Sequence, residues 1–411
     1  MRVMSWVNRV LMLHGIPLLR DIPLLRRIPG IRGLTDIRRI IVDPAEIDAL
    51  KQVCDSKNIV FILPNHPEFF TDWMLDKDII SRCAPMTACW ATNGIVNGTG
   101  NLGQKFWLWN NLIAQIPGNS TDGKAYSVEW ALKGYPVLLH PEGAVGWHSN
   151  YVAPLMSGAG EMALEAKFKA PQKSAFLLPI IWKLQFTEDA TTGLAKECNY
   201  IERKLKIEGS GNPAERALHI YDVLADREAA KLGLTMAAGL SLSKKLDVCE
   251  TAACVQLGVY LGKDGADSDP SETIKLVKRK VRGEGKTPSE AGRAASKLAD
   301  RLTKMRRLGD FAIKNPTITQ EEVAEHLKRI RNDLCVGTLR DVINAYLPQP
   351  VARRVAHIRI LPPVEVTGSE TAADLMNAVR IALQNALDTV NNEIGKTSTA
   401  TSWPNPFYTS A

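Results

Sequence analysis

The chain has 411 residues, 45% of them hydrophobic and 23% charged, the balance of a globular protein with a sizeable core. That length suits two or three domains, or one domain with a large insertion. No apolar run approaches the ~18 residues of a spanning helix, which excludes a bundle of membrane spans and predicts a protein that is soluble or lies on a membrane. The formal net charge is +7, and residues 1–40 hold most of it: eight arginines against Asp21 and Asp36, with no lysine. Seven cysteines (Cys54, Cys83, Cys89, Cys198, Cys249, Cys254 and Cys335) include no C-x-x-C pair, so they read as reduced thiols and core residues, with no zinc site.

Residues 1–45 read as a basic amphipathic arm. Within Met1–Leu13, Arg2, Ser5 and Arg9 share a narrow arc and Val3, Trp6, Val7, Val10 and Leu11 cover the rest. A six-residue repeat follows, with Pro17, Pro23 and Pro29 spaced so as to forbid one long helix. Arginines interleaved with leucines and isoleucines suit an anionic membrane surface. A nucleic acid would not need the apolar residues, and packing of the arm onto the protein itself is the plainer alternative.

From residue 46 the texture becomes α/β. Buried strands are predicted at Asn58–Leu63, Met86–Ala91, Leu112–Ile116, Tyr135–His140 and Phe176–Leu184, with helices between them such as Ser127–Leu132 and Gly160–Lys167. From about 191 to 350 strands give way to charged helices. Strand character returns at Ala356–Leu361, and Thr371–Ile394 is a clean amphipathic helix. The expected organisation is an α/β core of central mixed sheet and flanking helices over 46–190, a large α-helical insertion over 191–350, a closing strand and helix over 351–395, and a Ser/Thr/Pro-rich disordered tail over 396–411.

Ligands gather where the strands of an α/β sheet end. The first core strand ends in Pro64-Asn65-His66-Pro67-Glu68-Phe69-Phe70-Thr71-Asp72. An imidazole there, with a carboxylate about one helical turn on, can form a base and its orienting partner. A later strand ends in His140-Pro141-Glu142-Gly143. These two blocks, about 75 residues apart, resemble the N-H-x4-D and F-P-E-G-T-R-S motifs of the glycerolipid acyltransferase family of the PlsC type. Pro154–Glu165, Phe176–Ile181 and Ile358–Pro363 are similar to further blocks of that family in the same order, so the resemblance covers roughly 46–190 and 352–395.

The resemblance implies an O-acyltransferase in lipid biosynthesis or remodelling. His66 would be the general base and Asp72 its orienter, while Asn65, His140, Pro141, Glu142 and Gly143 would serve the acceptor site. Backbone N–H groups nearby would meet the oxyanion. No covalent intermediate, metal or cofactor is implied. The partners would be acyl-CoA or acyl-carrier protein, a lipid acceptor and an anionic membrane, at the cytoplasmic face and without nucleic acid. A lipid-binding protein that keeps the fold, or an acyl-thioester hydrolase, would share these motifs.

Two departures matter. The spacing here is His-x5-Asp, one residue longer than the family's, which opens Glu68 or Thr71 as alternative orienters. The family's arginines are also missing: Ala144-Val145-Gly146 stands in place of T-R-S, and Arg82 is the sole arginine between residues 60 and 185. Arginine is the bidentate clamp for phosphate, so a neutral or zwitterionic acceptor gains ground. His140 replaces a phenylalanine and could touch the acceptor or pair with Glu142.

Overall fold

The N-terminal segment is helical through its first proline. Helix α1 (Arg2–Val10) and helix α2 (Ile16–Asp21) are joined by a π-helical turn, Leu11–Gly15. Pro17 falls in the first turn of α2, where its missing N–H removes least, so the helix is not broken there as its sequence predicts. It stops at Ile22, which is extended as a residue before proline should be. Asn8, Met12 and Ile16, spaced by four, are buried, whereas Val3, Trp6, Val7, Val10 and Leu11 stay exposed. The computed structural model describes residues 2–22, 24, 36–68, 71–98, 100–116, 120–143, 145–146, 150–263, 269–285, 287–306, 315–334, 351–396 and 401–408. Pro23 and residues 25–32 of the proline repeat therefore lie outside the described residues, as do Phe69, Phe70, Ala144, Trp147, His148 and Cys335.

The core then runs β1 (Ile37–Ile41), α3 (Pro44–Val53), β2 (Ile59–Pro64), α4 (Thr71–Cys83), β3 (Ala88–Thr92), α5 (Asn93–Gly98) and α6 (Gly100–Trp109). It continues with β4 (Leu112–Gln115), α7 (Thr121–Leu132), β5 (Val137–Leu138), α8 (Gly158–Lys169) and β6 (Ala175–Phe186). Helices follow: α9 (Thr191–Leu205), α10 (Pro213–Lys231), α11 (Leu242–Leu261), α12 (Pro270–Gly283), α13 (Glu290–Arg306) and, after strand β7 (Thr317–Thr319), α14 (Gln320–Arg329) with a π-helical turn to Leu334. The chain closes with β8 (Arg354–Ile360), β9 (Val364–Glu365), α15 (Ala372–Lys396) and β10 (Ser402–Pro404).

Two compact units emerge, Met1–Ala190 with Val342–Ala400, and Thr191–Asp341 with Thr401–Ala411. In the first, eight strands among the described residues form one mostly parallel sheet in the order β1-β8-β6-β2-β5-β3-β4, with β9 also on β6; β8 and β9 run antiparallel to β6. This is the α/β architecture the alternating elements predict. β1 is a correction: the sequence assigns residues up to 45 to the arm, yet Ile37–Ile41 pairs in parallel with β8. Its two adjacent arginines hide the strand in a basic stretch.

Both faces of the sheet are buried, so the strands read as continuous apolar runs. Ile59, Phe61 and Leu63 of β2 pack on one side with Val128 of α7, Met162 of α8 and Leu383 of α15. Val60 and Ile62 pack on the other with Leu50 of α3 and Met74, Leu75 and Ile79 of α4. Leu138 of β5 belongs to the α4 side too, and this alternation decides where the next residues point.

The second unit is built from helices. Ala229, Cys249, Cys254, Leu257, Val277 and Leu302 share its core, so the two closely spaced cysteines are apolar packing there and remain free thiols. Asn212 and Glu215 form a capping box that starts α10. The expected disordered tail is partly a strand: β10 pairs antiparallel with β7, Asn405 Nδ2 donates to the Asn315 carbonyl, and Phe407 is buried beside Tyr221 and His326. The apolar Trp403 and Phe407 within the polar composition are the residues that hold it.

Candidate active site

β2 and β5 are neighbours in the sheet and run parallel, with Phe61 opposite Val137 and Ile62 opposite Leu138. Parallel neighbours release their following loops at the same edge, so the two motifs meet although 74 positions separate His66 from His140. The alternation that turns Ile62 and Leu138 toward α4 carries on into His66 and His140, and both rings face α4. They stack on each other, with centroids 4.0 Å apart and planes at 18°.

Helix α4 answers with two carboxylates one turn apart. Asp72 Oδ2 lies 2.5 Å from His66 Nδ1, and Asp76 Oδ2 lies 3.0 Å from His140 Nε2. Asp72 also stands 3.9 Å from His140 Nε2. Positions i and i+4 share a helix face, which is why one helix serves both rings. The extra residue in the His-x5-Asp spacing falls before Thr71, where the helix begins, so it does not rotate Asp72 about the helix axis. Asp72 Oδ1 accepts from its neighbour's backbone, Trp73 N, at 2.6 Å. The His66–Asp72 approach is close but poorly aligned as a hydrogen bond. Among the described residues His66 Nε2 has no partner, which leaves it as the nitrogen that can take a proton.

Glu68 does not reach His66. Its carboxylate pairs with Arg354 Nη1, and Arg354 Nε meets Asp36 Oδ2 at 2.5 Å, a triad buried between β8, the residue before β1 and the loop after β2. The alternative orienter is thereby corrected. Arg354, remote from residues 60–185 in the sequence, stands against Glu68, but two carboxylates neutralise it. Arg82 is likewise held by Asp78 at 2.8 Å.

The residues expected around the acceptor are engaged with the protein's own backbone. Asn65 is a clamp: Trp182 N donates to its Oδ1 at 2.9 Å, and its Nδ2 donates to the Trp182 carbonyl at 3.1 Å, extending the β2–β6 pairing past the strand end. Glu142 accepts from His66 N at 2.7 Å and from Ala153 N at 3.0 Å, tying the two motif loops and the segment before α8 together. It does not hydrogen-bond His140. Pro141 is buried, and its carbonyl accepts from Met156 N at 2.8 Å. Gly143 sits at φ 74° and closes a turn onto the His140 carbonyl, where a Cβ would run into the Met156 sulfur. The N–H groups of His66, Gly143 and Gly146 all donate internally, so these three are not open to meet an oxyanion as the resemblance implies.

Electrostatics separate the two rings. Burial lowers the pKa of His66 from its ordinary value, His140 adds to this, and Asp72 opposes. For His140, burial pulls down, but Asp76, Asp72 and the Asn65 carbonyl outweigh it and lift the pKa to about 9. Burial raises both Asp76 and Glu142. Among the described residues His66, Asp72 and His140 have ligand atoms within 4.8 Å of one another, close enough to share a metal ion. Their hydrogen bonding argues against it. His140 Nδ1 faces the Asn65 carbonyl at 3.1 Å and Nε2 faces a carboxylate, so both nitrogens act as donors and neither has a lone pair free.

Next to Asp72 an aromatic wall begins. Trp73 meets Trp107 edge-on at 6.1 Å, and Phe106 packs on Trp107 at 4.9 Å. On the same helix, α6, Leu102, Leu108 and Trp109 are exposed, and Asn110 just past its end accepts a hydrogen bond from Asn8 of α1 at 2.7 Å. No helix among the described residues is long and apolar enough to cross a membrane. No family model and no curated protein matches the chain.

Proposed function

We propose that this protein is an O-acyltransferase that moves a fatty acyl chain from acyl-CoA or acyl-carrier protein to a hydroxyl of a glycerolipid or lysolipid. The observation that carries this reading is the buried Asp72 carboxylate against His66 Nδ1, with Nε2 left open at the edge where β2 and β5 end. Asp72 fixes the tautomer, and Nε2 takes the proton of the attacking hydroxyl. The acceptor oxygen bonds to the thioester carbonyl carbon, the C–S bond breaks, and the proton follows the departing thiolate. No covalent acyl-enzyme is required. Trp73, Trp107 and Phe106 offer an apolar lining for the acyl chain beside the base. Neutralisation of Arg82 and Arg354 favours an acceptor without a phosphomonoester.

A membrane surface is the proposed workplace. In α1 the polar Asn8 faces inward while Val3, Trp6, Val7 and Val10 face out beside the exposed Arg2 and Arg9, the reverse of a helix made to pack on its own protein. The cytoplasmic face of the membrane, with its anionic lipids, fits this charge.

The test is mass spectrometry of products from labelled acyl-CoA with a panel of lysolipids, diacylglycerol and long-chain alcohols. Transfer that His66→Ala abolishes supports the reading. Thiol release independent of any acceptor would mean a thioesterase, and no reaction with any acceptor would leave a lipid-binding protein.

A further inference from the structure

The stacked His140 has no counterpart in the acid–base step just described, yet it is the better-held of the two rings. Asp76 and the Asn65 carbonyl grip both its nitrogens, and its face lies against His66. The geometry points to His140 as a positioning residue, a fixed imidazolium stacked on His66 that keeps the neighbouring base unprotonated and ready to accept.

The reasoning starts from hydrogen-bond roles. A carbonyl oxygen only accepts, so His140 Nδ1 carries a hydrogen. A carboxylate also accepts, so Nε2 carries one too. A ring with two N–H groups is a cation. The groups that face it are Asp72 and Asp76 from α4, His66 from the loop after β2, and Glu142 from its own loop. Lys77 stands beside Asp76 but directs its ammonium to Cys89 Sγ at 3.6 Å.

Consider the pocket without the cation. His66 would stand among Asp72, Asp76 and Glu142, all buried or half-buried, and that field would hold a proton on it. A base that is already protonated cannot take one from an alcohol. The His140 charge offsets Asp76 and leaves Asp72 to orient His66.

His140 serves catalysis only if His66 is the base of acyl transfer, and in that respect the inference rests on the proposed function. The charge states can be read without substrate. The experiment follows the His66 ring by NMR titration in the full-length protein, with its resonances assigned by their loss in His66→Gln. His140→Phe should raise the proton affinity of His66 by about tenfold or more, since a like charge about 4 Å away is removed. The direction is the same whether Asp76 then keeps its charge, attracting the proton, or takes up a proton and becomes neutral. His140→Phe/Asp76→Asn removes the uncompensated carboxylate and should fold if the single variant does not, with a rise in the same direction. Where transfer activity is measurable, the acid limb of the kcat/KM profile should move to higher pH by the same amount. A His66 midpoint that is unchanged or falls overturns the inference. A midpoint that rises in a protein without transferase activity upholds the charge assignment and sinks the acyltransferase reading alone.

Discussion

Removing one charge at Asp72 and one at Glu68 should have unlike consequences, although four positions separate them. Asp72→Asn leaves a side chain of the same size beside His66 Nδ1 but loses the charge that fixes the ring. The proposed acyl transfer should fall by about 10²-fold or more with the fold intact. Glu68→Gln acts on the buried Arg354 triad, so it should cost about 3 kcal/mol in denaturant unfolding and change the rate of properly folded protein little. A loss of rate at Glu68 without loss of stability would reverse the two roles. His140 predicts a pH signature of stability. Its pKa is raised to about 9 in the folded state, above the ~6.5 of an unfolded histidine. Its contribution is therefore complete below about 6.5 and fades as pH rises toward 9. The melting temperature should drop across that window in the wild type and drop less in His140→Phe. At this scale much was legible: His66 and Asp72 come straight from the motif. Asp76 carries a plain signal, four residues after Asp72 on a helix, that the motif does not include. Arg354 was invisible because nearly 290 positions separate it from Glu68. Pairing of His140 with Glu142, one of the options the sequence leaves open, does not form, since Glu142 is two positions away in sequence but turns to the backbone.

Among the elements, α1 and α2 invite the most direct test. Deleting residues 2–21 should weaken binding to phosphatidylglycerol vesicles at least about tenfold, and Trp6→Ala with Val7→Ala in the full-length chain should reproduce part of that loss. Arg2→Gln with Arg9→Gln should weaken binding chiefly at low salt. Binding unchanged by the deletion would point to α6, with its exposed Leu102, Leu108 and Trp109, as the docking element. Strands of continuous apolar residues and helices of clear periodicity were readable to within a few positions. The misses have physical causes. β1 interrupts its apolar residues with Arg38 and Arg39. The π-helical turn before Pro17 lets a helix pass where the proline spacing argues for a break. β10 gains its order from β7, a pairing that spans more than 80 residues and leaves no local mark.

At the level of the whole molecule, chain order suggested a closing strand but not where it would lie. β8 inserts between β1 and β6, and β5 inserts between β2 and β3; the second of these placements makes the site. Neither is written in periodicity, because sheet order is fixed by which buried faces fit together. The second unit was legible as a block of charged helices, and its lower boundary near 190 matches the point where β6 has ended. Excision is the test of independence. Replacing residues 190–350 with a short glycine-containing turn, and ending the chain at Lys396, should leave a first unit with a single cooperative melt and a stacked His66–His140 pair still visible by NMR. A molten product would show that the core needs the helices for its stability.

The junction that makes such surgery feasible is a small one. Thr187 N donates to the Arg353 carbonyl at 2.9 Å, and Arg353 N to Glu188 Oε1 at 3.1 Å, so the strands on either side of the helical unit end side by side as the two arms of a hairpin. The chain between Glu188 and Arg353 is in effect a very long hairpin loop, and closure of so long a loop costs entropy that grows only with the logarithm of its length. Guests of quite different size are then tolerated at this doorway, provided their own ends meet. A compact reporter domain with adjacent termini, spliced between Glu188 and Arg353, would ride on the core at little thermodynamic expense.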